Sequence, residues 1–269
     1  MTGLELRPLS LGEILDRTFT LYRRYFLLFL GISAIPQLLV LAFQLVQDEF
    51  PQTGALNLVM LAVLMIISLL SYLFAQGGTI LAVSELYLAR PTSMADSLRR
   101  VWNDLGSLFG VVMLNGLAIA GASILLVIPG IYVACRLLVC VPAALIEQRG
   151  PRESLSRSFD LTRDNAGRAF VIMVLAVVLT WGAQILLALP FVIASASSLR
   201  DPSALRLWAA LTQVGSSVAT ALVRPILLIA TSIFYYDLRV RKEAFDLQFM
   251  LNPDASNVPR TGNLPSIIS

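Results

Sequence analysis

Six long apolar blocks, separated by short polar connections, constrain the fold of this chain more than any other feature. A helix needs about 20 mostly apolar residues to cross the roughly 30 Å of hydrocarbon in a bilayer. Six stretches meet this requirement, at about 25–46, 58–83, 108–128, 131–146, 169–194 and 212–236. Because lipid cannot satisfy backbone hydrogen bonds, the blocks predict an all-α polytopic membrane protein with six transmembrane helices.

The residue composition supports a membrane location. Hydrophobic residues make up 57% of the 269 positions and charged residues only 14%, whereas soluble domains carry about 25% charged residues. The fourth block is the shortest and contains Arg136. The Pro129-Gly130 pair just before it predicts a hairpin turn between the third and fourth spans.

Basic residues are distributed unevenly between the two sets of connections. Sixteen of the 20 lysines and arginines fall on one side of the six-span arrangement, and the opposite connections hold only Arg200 and Arg206. Short connections rich in lysine and arginine remain cytoplasmic. We therefore expect both termini in the cytoplasm, in the plasma (inner) membrane of a bacterium. The first residues lack the apolar core of a signal peptide, so the first span is expected to be retained.

An internal repeat suggests how the six spans are organised. Residues 13–23 and 153–163 share the pattern E-x-L-x-R-[ST]-F-x-L-x-R, and Asp96, Leu98, Arg100 and Trp102 keep part of it. Helix-capping signals precede each copy. The pattern predicts interfacial helices at about 10–24, 93–105 and 151–165, each followed by a hairpin of two spans. The expected architecture is three parallel repeats within a transmembrane domain of residues 1–250, followed by a flexible cytoplasmic tail at 251–269.

The predicted interfacial helices allow two interpretations. Their amphipathic faces can anchor the hairpins at the lipid headgroups. Alternatively, their charged residues form a cytoplasmic docking or gating surface, together with part of the polar run that follows the last span. In that run, Tyr235 and Tyr236 are expected in an aromatic belt at the interface and the charged residues in water or headgroups. The candidate docking residues are Glu13, Arg17, Asp96, Arg100, Glu153, Arg157, Tyr236, Asp237 and Arg239.

Three parts of the chain carry a resemblance to a known family. They are the repeat beginning at Leu6-Arg7-Pro8-Leu9, the Pro129-Gly130-Ile131-Tyr132 turn followed by Arg136, and the closing run 235–247. Together they resemble the bacterial glycerophosphoryl diester phosphodiesterase membrane domain. In fusion proteins of that family a similar region is joined to a soluble, metal-dependent barrel that uses histidines. Histidine is absent here, so the resemblance implies a multi-pass membrane module without the phosphodiesterase.

Two arginines are predicted to lie inside spans and are the candidate ligand-binding residues. Arg224 falls near the bilayer midplane and is followed by Pro225. A charge at that depth costs roughly 3 kcal/mol even on the lenient insertion scale. Arg224 is therefore expected either to bond internally or to bind a lipid phosphate or another anion. Internal acceptors could be backbone carbonyls or the side chains of Asn115, Gln184 and Gln213.

Arg136 lies only a few residues into the fourth span, so its side chain is expected to reach toward the far headgroups. Glu85 and Glu147, near the cytoplasmic ends of two spans, are the candidate carboxylate partners for both intramembrane arginines, although their predicted depths match neither arginine well.

Several classes of chemistry lack sequence support. The absence of histidine removes the commonest general base and metal ligand. No phosphate-binding glycine loop, metal cluster or nucleophile-base pair is apparent, so neither a metal nor a cofactor is predicted. Cys135 and Cys140 are expected to be buried thiols. The basic residues follow the membrane surface, which does not favour nucleic-acid binding.

The sequence therefore predicts a non-enzymatic membrane module that interacts with lipids and with a second membrane protein or another copy of itself. The alternative is a transporter or channel for an anionic or amphiphilic solute that uses Arg224 and Arg136. A polar cavity at Arg224 favours transport, whereas a bundle packed shut favours a scaffold. An intramembrane enzyme is the third alternative.

The predicted orientation can be tested by cysteine labelling of intact cells. In a chain without Cys135 and Cys140, a single cysteine at Gln52→Cys should react with a membrane-impermeant maleimide. A single cysteine at Ser156→Cys should react only after the cells are lysed. The opposite labelling pattern would invert the predicted topology.

Overall fold

The computed structural model describes residues 8–48, 50, 53–88, 90–197 and 201–243. This part of the chain folds into nine helices and contains no strand, which confirms the predicted all-α class. The helices are α1 (Leu11–Arg24), α2 (Phe26–Gln47), α3 (Ala55–Tyr87), α4 (Met94–Leu125), α5 (Val127–Arg136), α6 (Cys140–Glu147), α7 (Pro151–Thr162), α8 (Ala166–Ser197) and α9 (Pro202–Glu243).

Six helical segments are long and apolar enough to cross a membrane, as predicted. Five of them are α2, α3, α4, α8 and α9, and α5 and α6 together form the sixth. Many of their large apolar side chains face outward, among them Leu27 (81% exposed), Leu117 (69%) and Trp181 (67%). Lipid is the solvent that such a surface requires. The predicted tail at 251–269 lies outside the described residues.

Helix α9 forms the centre of the bundle. It packs against α1, α2, α3, α6, α7 and α8, and every residue from Leu228 to Val240 is buried. Phe234, Tyr235 and Tyr236 are among the largest fully buried side chains. The spans α2, α3 and α8 and the α6 part of the fourth span thus pack against this one helix, whereas α4 packs mainly against α3 and α5.

Helix α1 lies alongside α9. Its start has the predicted capping box, in which Ser10 and Glu13 bond each other's backbone. Leu9 donates its backbone N–H to Asp237 Oδ1 at 2.6 Å, and the Tyr22 hydroxyl donates to the Leu222 carbonyl at 2.8 Å. These acceptors are separated by about 22 Å of helix, at roughly 1.5 Å per residue. The sequence predicted that α1 lies in the headgroup plane. The helix runs along α9 instead, because its apolar face packs on protein.

Helices α1 and α7, which carry the two closest copies of the repeat, bury equivalent positions. The buried residues Ile14, Thr18 and Tyr22 of α1 correspond to Ser154, Ser158 and Thr162 of α7, each 140 positions later. The long helices that follow, α2 and α8, begin at residues 26 and 166, which keeps the same offset. The shared sequence pattern thus accompanies a shared buried face.

The third, weaker copy of the repeat does not form a separate helix. Residues 94–105 are the first turns of the continuous helix α4, whose N-terminus is capped by the Ser93 side chain. The expected interfacial helix at 93–105 is therefore wrong as a separate element. Val101 and Leu108 of α4 pack over Gly77 of α3. Because this packing begins in the first turns, α4 continues into the bundle without a break.

The turn between α4 and α5 also differs from its predicted position. The break lies at Leu126, and Pro129 and Gly130 belong to the first turns of α5. Proline is tolerated there because the first helical N–H groups have no intrahelical acceptor. Gly130 lies directly against Ser123 of α4, where a Cβ atom would be only 2.1 Å from the Ser123 hydroxyl oxygen. The Pro-Gly pair therefore allows a close helix contact just after the turn.

Gly215 marks the tightest approach of the neighbouring helices α8 and α9. A Cβ atom at this position would be 2.4 Å from the backbone carbonyl oxygen of Leu187, whereas one on Gly182 of α8 would meet nothing within 4 Å. Backbone atoms cannot move aside as a flexible side chain can. The contact explains why the residue on α9 is a glycine despite the low helix propensity of glycine.

We predict that Gly215→Ala lowers the free energy of unfolding by about 1–3 kcal/mol, because it overpacks the α8–α9 contact. The matched change Gly182→Ala should leave stability unchanged or raise it slightly, since alanine favours a helix. Unfolding in mixed micelles of increasing denaturing detergent measures both variants. Equal stability of the two would contradict the close approach.

Candidate functional site

A cavity with a mainly apolar wall and several polar side chains lies between α3, α4, α5, α6, α8 and α9. Its volume is about 440 Å³, within the usual range of small-molecule sites. Apolar side chains such as Ile80, Leu137 and Met173 form most of the wall. The polar residues of the wall are Tyr72, Gln76, Asn115, Thr180, Thr220, Arg224 and Thr231.

Arg224 contributes the charge of the cavity. Its guanidinium carbon lies 5.7 Å from the centre of the Tyr72 ring, which is a cation–π contact. Within the described residues, Arg224 forms no hydrogen bond and no ion pair. Among the residues that the structure describes, the Tyr72 ring is therefore the only group that compensates this cation.

Within the described residues, none of the side-chain acceptors that the sequence suggested for Arg224 bonds to it, and the carbonyl oxygen of Gln213 is buried without a partner. Gln184 donates to the Ser216 carbonyl and to Thr220, and Gln213 donates to Asp48. Asn115 lines the same cavity, but its carbonyl oxygen has no partner. The hypothesis that Arg224 bonds internally to one of these side chains is therefore wrong for the described conformation.

Two of the polar groups in the cavity wall are buried acceptors without a donor. They are the side-chain carbonyl oxygens of Gln76 and Asn115. The three threonines differ, because each donates its hydroxyl to a backbone carbonyl of its own helix. The unsatisfied groups of the wall thus comprise one cation and two acceptors, contributed by α9, α3 and α4.

A layer of ion pairs centred on Glu147 closes one end of the cavity. Thr231 lines the cavity, and one turn further along α9 the buried Tyr235 donates its hydroxyl to Glu147 at 2.8 Å. Arg157 of α7 lies 2.9 Å from the same carboxylate and also pairs with Glu243. Burial alone would lower the pKa of Arg157, but the carboxylates of Glu147 and Glu243 outweigh it and raise that pKa.

A second carboxylate, Asp237, joins three segments of the chain at this end of the bundle. Its side chain is fully buried and lies 2.7 Å from Arg168 Nη1 and 3.0 Å from Arg241 Nε. Both arginines also donate to the Leu9 carbonyl, and the Leu9 N–H donates to Asp237. The chain before α1, the start of α8 and the end of α9 are thus connected through one carboxylate.

Arg136 points toward α7, whereas its side chain was expected to reach toward the far headgroups. Its guanidinium donates to the Phe159 carbonyl at 2.5 Å, to Tyr132 at 2.7 Å and to Thr162 at 3.1 Å. The Ser158 hydroxyl in turn donates to the Arg136 carbonyl. Because these groups satisfy Arg136 within the protein, the residue connects α5 to α7 and does not line the cavity.

Three of the candidate docking residues are buried, and Arg157 is nearly so. Tyr236, Asp237 and Arg239 are each no more than 2% exposed. Tyr236 stacks on Tyr87 and shares a hydrogen bond with Ser84. These residues and Tyr235 were expected at the membrane surface. Neighbouring helices surround this part of α9 and bury them. They form internal contacts instead of an exposed docking surface.

The remaining candidate docking residues have more local roles. Glu13 and Asp96 accept hydrogen bonds from the capping positions Ser10 and Ser93. Arg100 pairs with Glu85 at the end of α3, and Arg17 hydrogen-bonds to Tyr87. Glu153 is exposed beside an apolar groove between α4 and the start of α7. Neither Glu85 nor Glu147 reaches an intramembrane arginine, as the mismatch in depth had indicated.

Two residues of the cavity were missed at the level of sequence. Tyr72 and Gln76 are one helical turn apart on α3, within a span that is otherwise mostly apolar. A polar pair at that spacing on one face is the signal that could have identified them. Among the described residues, no cluster of three histidine, cysteine or acidic side chains could hold a metal ion, so the chemistry of the site depends on Arg224 and the amides.

No family model matches the chain, and neither a curated protein nor a solved structure matches it. The resemblance to the glycerophosphoryl diester phosphodiesterase membrane domain therefore stays a prediction from the sequence. The site has to be interpreted from its own geometry.

The Asp237 cluster leads to a prediction about stability. Asp237→Asn should lower the free energy of unfolding by about 3 kcal/mol, because it leaves two arginines beside a neutral amide. Asp96→Asn, on the exposed first turn of α4, should cost no more than about 1 kcal/mol. Detergent-induced unfolding measures both variants, and an equal loss would show that the Asp237 cluster does not stabilise the bundle.

Proposed function

We propose that this protein binds an anionic amphiphile inside the membrane, in the cavity at Arg224, and that the ligand reaches the cavity from the lipid bilayer. The observation that supports this proposal is a guanidinium, without a hydrogen bond or ion pair in the described structure, on the wall of a 440 Å³ cavity. The proposed role is non-enzymatic, and the partners are membrane lipids or lipid-like anions.

The energetic argument concerns the cost of an uncompensated charge. An arginine near the centre of a transmembrane helix costs roughly 3 kcal/mol on the lenient insertion scale. Cation–π attraction to Tyr72 offsets about 0.5–2 kcal/mol of that cost. A phosphate or carboxylate offsets more, because a guanidinium binds such groups through two parallel hydrogen bonds. The mixed wall of the cavity would accept the charged group near Arg224 and apolar chain against the aliphatic residues.

The shape of the surroundings supports lateral access to the cavity. Tyr72 belongs to its wall and is 38% exposed on the apolar surface of α3. Toward the arginine-rich end of α9, the cavity is followed by the buried layer of Tyr235, Glu147 and Arg239. An amphiphile dissolved in the bilayer therefore meets an easier route than a solute from water on that side.

Transport is the second candidate function, and the ion-pair layer favours it. The layer lies one turn of α9 from the cavity, so separating Arg157 from Glu147 and Glu243 would open part of the barrier between the cavity and water. A site that opened alternately to lipid and to the cytoplasm would move the amphiphile between them. Under either function, the proposed location is the inner membrane of a bacterium, with the arginine-rich end in the cytoplasm.

The proposal predicts opposite effects of one substitution with and without ligand. Arg224→Met should raise the thermal stability of ligand-free protein in a neutral detergent, because it removes a buried, uncompensated charge. Dodecyl phosphate should stabilise the wild-type protein by about 2.7 kcal/mol at a concentration 100 times its dissociation constant. It should not stabilise Arg224→Met. The measurement is the unfolding temperature in dodecyl maltoside with and without dodecyl phosphate.

The exposed residue Arg99 provides the matched control. Arg99→Met removes the same charge at the surface and should retain the full response to dodecyl phosphate. If Arg224→Met lowered the stability of the ligand-free protein and kept the ligand response, Arg224 would be structural and the proposed function would be wrong.

A further inference from the structure

The unpaired amide oxygens of Gln76 and Asn115 restrict the chemistry of the ligand. Both oxygens are buried and lack a donor, and both residues line the cavity that holds Arg224. Buried acceptors in proteins almost always have a partner, and leaving one without a donor is costly. A ligand with a hydrogen-bond donor would satisfy one of these oxygens if the amide turned toward the cavity, in addition to the anion at Arg224.

The orientation of Gln76 follows from its neighbour. Gln76 forms a side-chain hydrogen bond with Tyr72, while its carbonyl oxygen remains without a partner. The amide nitrogen is therefore the atom that contacts Tyr72, and the oxygen is buried beside the cavity without a donor. Tyr72 also provides the aromatic face over which the Arg224 guanidinium lies. Tyr72 thus contacts both the Gln76 amide of α3 and the Arg224 guanidinium of α9.

We infer that the ligand is an anionic amphiphile whose headgroup also carries a hydroxyl or amine donor close to its charge. This inference rests on the proposed function and specifies its ligand class. The anion binds Arg224, and the donor binds the amide oxygen of Gln76 or Asn115. An amphiphile with an anion alone would leave both acceptors unsatisfied, or would have to trap water beside its apolar chain.

The inference separates two kinds of membrane anion that Arg224 alone would not distinguish. A fatty acid anion or a simple alkyl phosphate satisfies the cation only. A lysophospholipid with a free hydroxyl beside its phosphate satisfies the cation and an acceptor. A site with buried polar groups discriminates strongly against a ligand that lacks their partner.

The test uses two ligands that differ by one hydroxyl. Lauroyl lysophosphatidic acid carries a hydroxyl next to its phosphate ester, and lauroyl propanediol phosphate is the same molecule without it. Their affinities for the full-length wild-type protein in dodecyl maltoside are measured by quenching of tryptophan fluorescence or by ligand-induced shifts of the unfolding temperature. We expect the hydroxylated ligand to bind about tenfold more tightly, as for one buried hydrogen bond whose acceptor is otherwise unsatisfied.

Three variants assign that preference to particular groups. Gln76→Met and Asn115→Leu each remove one acceptor while keeping similar volume, and at least one should abolish the preference without abolishing binding. Thr180→Val is the matched control, because Thr180 lines the same wall but already donates to the Ala176 carbonyl. It should keep the tenfold preference.

The outcomes separate this inference from the proposed function. Equal affinity of the wild-type protein for the two ligands would overturn the inference but leave anion binding at Arg224 intact. A preference that survives in both amide variants would also overturn it. Failure of the wild-type protein to bind either ligand would overturn the proposed function itself. The comparison of two ligands on the wild-type protein needs no variant, so it is decisive even if a substitution disturbs folding.

Discussion

The need of each buried guanidinium for a partner organises this structure. In surroundings of low dielectric constant, an unpaired cation is expensive, and a paired one holds its partners firmly. Arg168 and Arg157 meet the carboxylates of Asp237 and Glu147, and Arg136 meets a carbonyl and two hydroxyls. These contacts connect α5, α7, α8 and the chain before α1 to their neighbours. Arg224 is the exception among these partly buried arginines, and it lies on the wall of the cavity.

The paired arginines also explain the positions of the two short amphipathic helices. Helices α1 and α7 bury equivalent faces, but they contact the bundle through different carboxylates. The segment before α1 is attached to Asp237, whereas α7 is attached to Glu147 and Glu243 through Arg157. A repeated local sequence has thus been combined with two separate ion-pair clusters, and both clusters contain the end of α9.

The sequence was sufficient for features that depend on one helix at a time. Hydrocarbon requires a long apolar run for each crossing, so the number of spans was predictable, and so were the caps at Ser10 and Ser93, which depend on residues three positions apart. The direction of α1 was not predictable, because it depends on contacts with Asp237 and Leu222, which lie 228 and 200 residues further along the chain. Arg224 was identified because a charge stands out in an apolar run. Gln76 was not, because its position beside Asn115 and Arg224 depends on the packing of three helices.

Pro225 gives the central helix a weak point at the depth of the cavity. Proline has no N–H, so the carbonyl of Ala221 loses its usual donor, and the ring favours a kink at that turn. The half of α9 that follows is enclosed by neighbouring helices and held through Asp237 and Glu147, while Gly215 keeps the preceding half tight against α8. Two firmly held segments joined by one compliant turn behave as a hinge. A bend of α9 at this hinge would be centred beside Arg224 and would change the shape of the cavity wall.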